Sequence, residues 1–148
     1  MGREIIRQIE RAVEKSRRQQ SMSSQLAASD KHALAIFDAT LANLEPSLQQ
    51  LGSCVRNGYL IKVILSDFAY KLLDVDRIKA VCGAANVLAS SEINNLRFFI
   101  DGFRVLVIPV LSAPLASKLV LGITDTVCPF LILQAILRGD TVIAVSDL

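Results

Sequence analysis

Four short runs of nearly uninterrupted apolar residues constrain this chain most: HALAIF (32–37), YLIKVILS (59–66), RVLVIPVL (104–111) and TVIAVSD (141–147). Each is bounded by turn residues and parted from the next by enough chain for a helix. A strand that is apolar toward both sides must be covered on both sides, which is the situation of a parallel sheet between helices. The intervening segments carry helical spacing. Leu41, Leu44, Leu48, Leu51 and Val55 share one face from Leu41 to Arg56, and Asn57-Gly58 supplies the stop. A second helix is expected over 67–73, a short strand near 86–89 and a helix over 91–100, within a less regular stretch from Asp74 to Phe103. Helices are also expected from about Pro114 to Leu121 and from Thr126 to Arg138, with Gly139-Asp140 as the turn into the last strand. The pattern predicts an α/β fold: a doubly wound parallel sheet, a Rossmann- or flavodoxin-like three-layer sandwich, with an N-terminal amphipathic helix.

Residues 3–15 place Ile5, Ile6, Ile9 and Val13 on one helical face and charges on the other. So short a helix is marginal alone and needs a partner surface. Residues 15–31 are rich in Ser and Gln and lack periodicity, a linker composition. The expected organisation is therefore a leader helix within 1–20, a polar linker at 21–31 and an α/β domain over 32–148.

Composition removes several function classes. With 52% apolar and 20% charged residues the chain is globular rather than disordered. The longest apolar run, Val105 to Leu115, is too short to span a bilayer, and the charged opening lacks the apolar core of a secretory signal. These features read as cytoplasmic, with no membrane partner. Residues 1–20 hold six basic and three acidic groups, leaving ten basic and eleven acidic for the rest. The basic excess is thus confined to the leader, and nucleic-acid binding gains no support. Cys54, Cys82 and Cys128 show no CxxC spacing and only His32 could join them, so the expectation is buried free thiols and no metal site.

Candidate site residues lie where strands run into helices, because the carboxyl edge of an open α/β sheet and the positive helix N-termini converge there. After the first strand, Thr40 could donate to a phosphate, while Asp38 sets a negative charge beside it and the turn has no glycine. Either residue could equally be a helix cap. Ser66 after the second strand, and Ser90 and Ser91 after the third, pose the same choice between ligand contact and cap. The turn after RVLVIPVL combines more features: Ser112 and Ala113 are small enough to admit a flat ligand, Lys118 lies further along the helix, Gly122 allows close packing, and Asp125 precedes the next helix. Lys118 as a solvated residue and Asp125 as a cap are the competing readings. No nucleophile–base pair and no HExxH, GxSxG or Walker loop occurs, so no catalytic residue is assigned.

At Pro109, Ser112, Lys118, Gly122 and Asp125 the chain resembles the flavoprotein family of homo-oligomeric flavin-containing cysteine decarboxylases, which also holds the flavin prenyltransferases. Spacing through Leu48, Leu51, Gly58, Val63 and Ser66 extends the likeness, which covers about 32–148. The resemblance implies FMN at the carboxyl edge of the sheet, often at a subunit contact in a trimer. Thr40 and Ser66 would face the phosphate and ribityl chain, and Ser112 and Ala113 the isoalloxazine ring. It also marks departures: Pro114-Leu115 stands where the decarboxylases have Asn-Thr, Asp38 where the first loop usually offers glycine, and the catalytic histidine has no counterpart. The later Met- and Asn-rich substrate motif would fall beyond Leu148. The leader resembles the encapsulation peptides of bacterial microcompartment cargo, which implies a shell or cargo partner for residues 3–15. A dimer arm, or a helix docked on its own domain, explains the same pattern. Three functions follow: an FMN-binding or degenerate FMN-fold flavoprotein, a decarboxylase or flavin-modifying enzyme, and a non-catalytic oligomeric assembly protein.

Overall fold

The computed structural model describes residues 5–11, 31–38 and 44–146. Its centre is a five-stranded sheet of β1 (His32–Phe37), β2 (Leu60–Leu65), β3 (Val87–Ala89), β4 (Val105–Leu111) and β5 (Thr141–Ser146), in the order β3-β2-β1-β4-β5. Every neighbouring pair is parallel. Around it lie α1 (5–11), α2 (Leu44–Arg56), α3 (Asp67–Leu72), α4 (Val75–Cys82), α5 (Leu96–Asp101), α6 (Ala113–Leu121) and α7 (Val127–Leu137).

The period-two alternation of a strand sorts its side chains onto two cores. Ala33, Ala35 and Phe37 of β1 pack with residues of α1, α2, α3 and α4. Leu34 and Ile36 face the other way, onto Phe99 of α5, Leu115 of α6 and Cys128, Leu131 and Ile132 of α7. The three-layer sandwich expected from the apolar runs is therefore present.

Two elements differ from the expected pattern. Helix α4 was hidden in the irregular stretch, although Asp74 Oδ1 accepts the Arg77 N–H at 3.2 Å as its cap and Ile78 and Cys82 bury one turn apart. A cross-surface pair from Arg77 to Glu45, at 2.6 and 2.8 Å, ties it to α2. The helix expected over 91–100 is instead a 3-10 turn at Ser90–Glu92 followed by α5, because Glu92 turns back to accept the Ala89 N–H at 3.1 Å and Asn95 caps a new start.

The leader has a partner within the described residues. Ile5 and Ile9 of α1 are 2% and 0% exposed and share the core of β1, α2 and α4. Burying each contributes about 2 kcal/mol, enough to hold a helix that is marginal by itself. Residues 12–30, which hold the expected linker except Lys31, lie outside the described set, and so does Thr40.

Between β1 and β4 the strand order reverses. β1 pairs with β2 along its whole length, to Phe37–Leu65, but with β4 only at Leu34–Leu106 and Ala35–Val107. Pro109 offers no N–H inside β4, and the β4–β5 register shifts between Ile108 and Leu111. The carboxyl ends on either side of this switch point form the edge where such sheets hold their ligands.

Candidate ligand cavity

A cavity of about 380 Å³ opens at this edge, within the range of small-molecule and cofactor sites. Asp38 at the end of β1, Ser66 at the end of β2 and Ser90-Ser91 after β3 form one wall. Asp67 and Phe68 of α3, Lys118 of α6 and the first turn of α7 complete it. Phe68 is 64% exposed at the rim, an aromatic face that no core contact claims.

Most of the polar groups are already engaged. Ser66 Oγ accepts the Ala69 N–H at 3.0 Å and caps α3. Asp67 Oδ1 accepts both the Ser90 hydroxyl at 2.9 Å and the Ser91 N–H at 3.0 Å. Those donors hold its carboxyl below the usual carboxylate range. Lys118 Nζ reaches both Asp125 oxygens, at 3.0 and 3.3 Å. That contact lowers the Asp125 pKa and replaces the two alternatives considered for these residues, since Thr126 rather than Asp125 stands at the N-cap of α7.

The α7 terminus adds an electropositive backbone feature to the wall, as does the start of α3. Thr126 gives its N–H groups no side-chain cap, and Pro129, third in the helix, contributes no N–H. Cys128 lies in this first turn and is 1% exposed. Burial, with Asp38 and Asp67 nearby, pushes its thiol up to about 12. It is a wall group, not a nucleophile.

The expected site residues divide. Ser66, Ser90, Ser91 and Lys118 meet at the cavity. Ser112 caps α6 by accepting the Leu115 N–H at 3.3 Å and lies outside the cavity lining. Ala113 lines a separate, shallow apolar groove of about 330 Å³ with Ala116, Ser117, Val120 and Leu121. Gly122 does not serve close packing: a Cβ there would meet nothing within 4 Å, and its requirement is the left-handed φ of +71° that ends α6. Asp67, Phe68 and the α7 turn were not singled out from sequence. A second carboxylate beside a strand-ending serine was the available signal.

Cys54, Cys82 and Cys128 are all free and buried, and no group of three metal-binding side chains occurs among the described residues. Among those residues no helix is long and apolar enough to cross a membrane. The chain's one histidine, His32, stands at the amino end of β1, against Phe103 and at the opposite edge of the sheet from Asp38.

No family model matches the sequence, and no curated protein does. Solved structures do match. The FMN-dependent cysteine decarboxylase TvaF from thioviridamide biosynthesis superposes with a TM-score of 0.65 at 12% identity, over 81% of this chain and 75% of that one. The fold is that of the FMN-dependent cysteine decarboxylases. The peptidyl-cysteine decarboxylase EpiD gives 0.62 at 13% identity over 79% and 70% of the two chains, and the FMN-dependent cysteine decarboxylase SpaF gives 0.59 at 18% over 81% and 70%.

Proposed function

We propose that this chain is a flavin-binding protein on the FMN-dependent cysteine decarboxylase fold, FMN-binding or degenerate toward FMN. The observation that carries the reading is the cavity at the carboxyl edge, over the ends of β1, β2 and β3, of a sheet whose structural neighbours are FMN-dependent enzymes. Its size suits a flavin, Phe68 and Val127 offer apolar surface for the ring, and the hydroxyls of Ser66, Ser90, Ser91 and Thr126 suit a ribityl chain. Ser112 and Ala113 contact the ring only if it runs out of the cavity along α6, and Thr40, which the resemblance assigns to the phosphate, lies outside the described residues. The phosphate itself does not fit the described wall, where Asp38 and Asp67 stand and the lysine is committed to Asp125. Titrating the purified chain with flavins while following flavin fluorescence tests the reading. Saturation at one flavin per chain is expected; no binding at micromolar concentration would reject it.

A decarboxylase or flavin-modifying enzyme would have to use a carboxylate of the wall as its acid–base group, since His32 is at the opposite edge of the sheet. An oligomeric role has support of its own: Val120 and Leu121 of α6 are 85% and 72% exposed beside the apolar groove. We propose a homo-oligomer, a trimer or a multiple of it, and light scattering that returned a monomer would remove that part.

A cytoplasmic setting with a microcompartment partner for residues 3–15 rests on the sequence resemblance alone. The packing of α1 works against such a partner, because Ile5 and Ile9 are spent within the chain's own core. Deleting residues 1–20 should lower the melting temperature. Unchanged stability together with loss of compartment co-localisation would favour the targeting role.

A further inference from the structure

We propose that Asp38 makes this cavity select against the phosphate of a flavin, so that the chain takes riboflavin, the uncharged flavin, in preference to FMN. The inference rests on the flavin reading above and says which end of the ligand has changed.

The charges on the wall decide it. Asp38 and Asp67 both line the cavity, and both lie close enough to the Cys128 thiol to raise its pKa. Ser90 and Ser91 hold the Asp67 carboxylate in place, whereas Asp38 makes no hydrogen bond or ion pair among the described residues. Against them, among the described residues, stand Lys118, already neutralised by Asp125, and the N-termini of α3 and α7, each equivalent to at most about half a positive charge. A phosphate monoester brings roughly 1.5 to 2 negative charges into a wall whose sum is already negative. The cavity, about 380 Å³, is comparable in width to the Debye length of ~8 Å, so dissolved salt screens the repulsion only in part.

Riboflavin meets the same carboxylate differently. Where FMN carries its phosphate, riboflavin carries a hydroxyl, and a hydroxyl donates to an aspartate. One side chain then supplies both the attraction to the accepted ligand and the repulsion of the other. Dinucleotide folds use this device when an acidic residue accepts a ribose hydroxyl where a 2′-phosphate would require an arginine.

The experiment is a fluorescence titration of the full chain, and of Asp38→Asn, with riboflavin and with FMN at two salt concentrations. The wild type should bind riboflavin about tenfold or more tightly than FMN, a modest effect for a charge pair within a small cavity. Asp38→Asn, which keeps the shape and removes the charge, should bring the two dissociation constants to within about threefold, chiefly by tightening FMN. Equal or tighter binding of FMN by the wild type overturns the proposal and leaves the flavin reading intact. An unchanged ratio in a folded Asp38→Asn does the same, and Asp38→Ser replaces that variant if it fails to fold. Binding of neither flavin overturns both.

Discussion

The turns after β2 and β4 are built alike and serve different ends. Each strand ends at a serine whose Oγ accepts an N–H three residues on, Ser66 from Ala69 and Ser112 from Leu115. Yet Ser66 lines a cavity with two carboxylates and a lysine, while Ser112 stands outside it at the head of a helix whose outer face is apolar. Capping chemistry is local and makes the two turns equivalent. Their surroundings are set by strand order, which places Ser66 beside the ends of β1 and β3. A strand–serine–helix pattern therefore identifies an edge of the sheet, not a binding site.

The largest expected effect concerns what the cavity side shares with the closed side. Cys128 in the cavity wall has its thiol raised to about 12, and Cys54 and Cys82 in the opposite core theirs to about 11, with burial the leading cause in each. A raised thiol pKa keeps its contribution intact below the unfolded value and loses it as pH rises toward the folded one. Stability should fall by about 1.4 kcal/mol per pH unit for each thiol once the pH passes about 9. Denaturant melts at pH 8 and 10 check this, and a flat profile would mean that the thiols are wetter than their burial indicates.

Next in size, Leu115→Ala should cost about 2–5 kcal/mol, because Leu115 is 0% exposed where Ser112 pins α6 to the second core. Urea denaturation with little loss would show that the β4 turn is not the structural anchor that distinguishes it from the β2 turn.

Ser66→Ala and Ser112→Ala should each cost about 1 kcal/mol as lost caps. Their consequences for flavin binding should separate: Ser66→Ala weakens it and Ser112→Ala leaves it unchanged. The reverse outcome would place the flavin ring along α6 and invert the comparison.

The smallest effect is expected from Lys118→Met. Its pair with Asp125 is largely exposed, and such pairs contribute ~0–1 kcal/mol. A change beyond that range in thermal melts would mark the pair as a brace between α6 and α7.

Much of the fold was legible because burial on both faces leaves a local mark. The apolar runs at 32–37, 59–66, 104–111 and 141–147 fall on β1, β2, β4 and β5 with small changes at their ends. Helix α4 escaped because its apolar face is only two turns long and its caps lie in a polar stretch. The site was legible in part. Ser66, Ser90, Ser91 and Lys118 were read from their places at helix starts or within the last motif, and Asp38 as a misplaced charge. Asp67 and Phe68 adjoin Ser66 and could have been read with it, whereas Cys128 reaches the same cavity from an element distant in sequence.

By itself the sequence determined the strands, their parallel burial between helices, and a serine fit to open α3, since hydrophobic period and capping act over a few residues. Tertiary structure decided the rest. Strand order set which turns border the cavity, the core claimed Ile5 and Ile9 of the leader, and packing brought Lys118 to Asp125. These outcomes depend on which surfaces meet, and that is a property of the whole sheet rather than of any one segment.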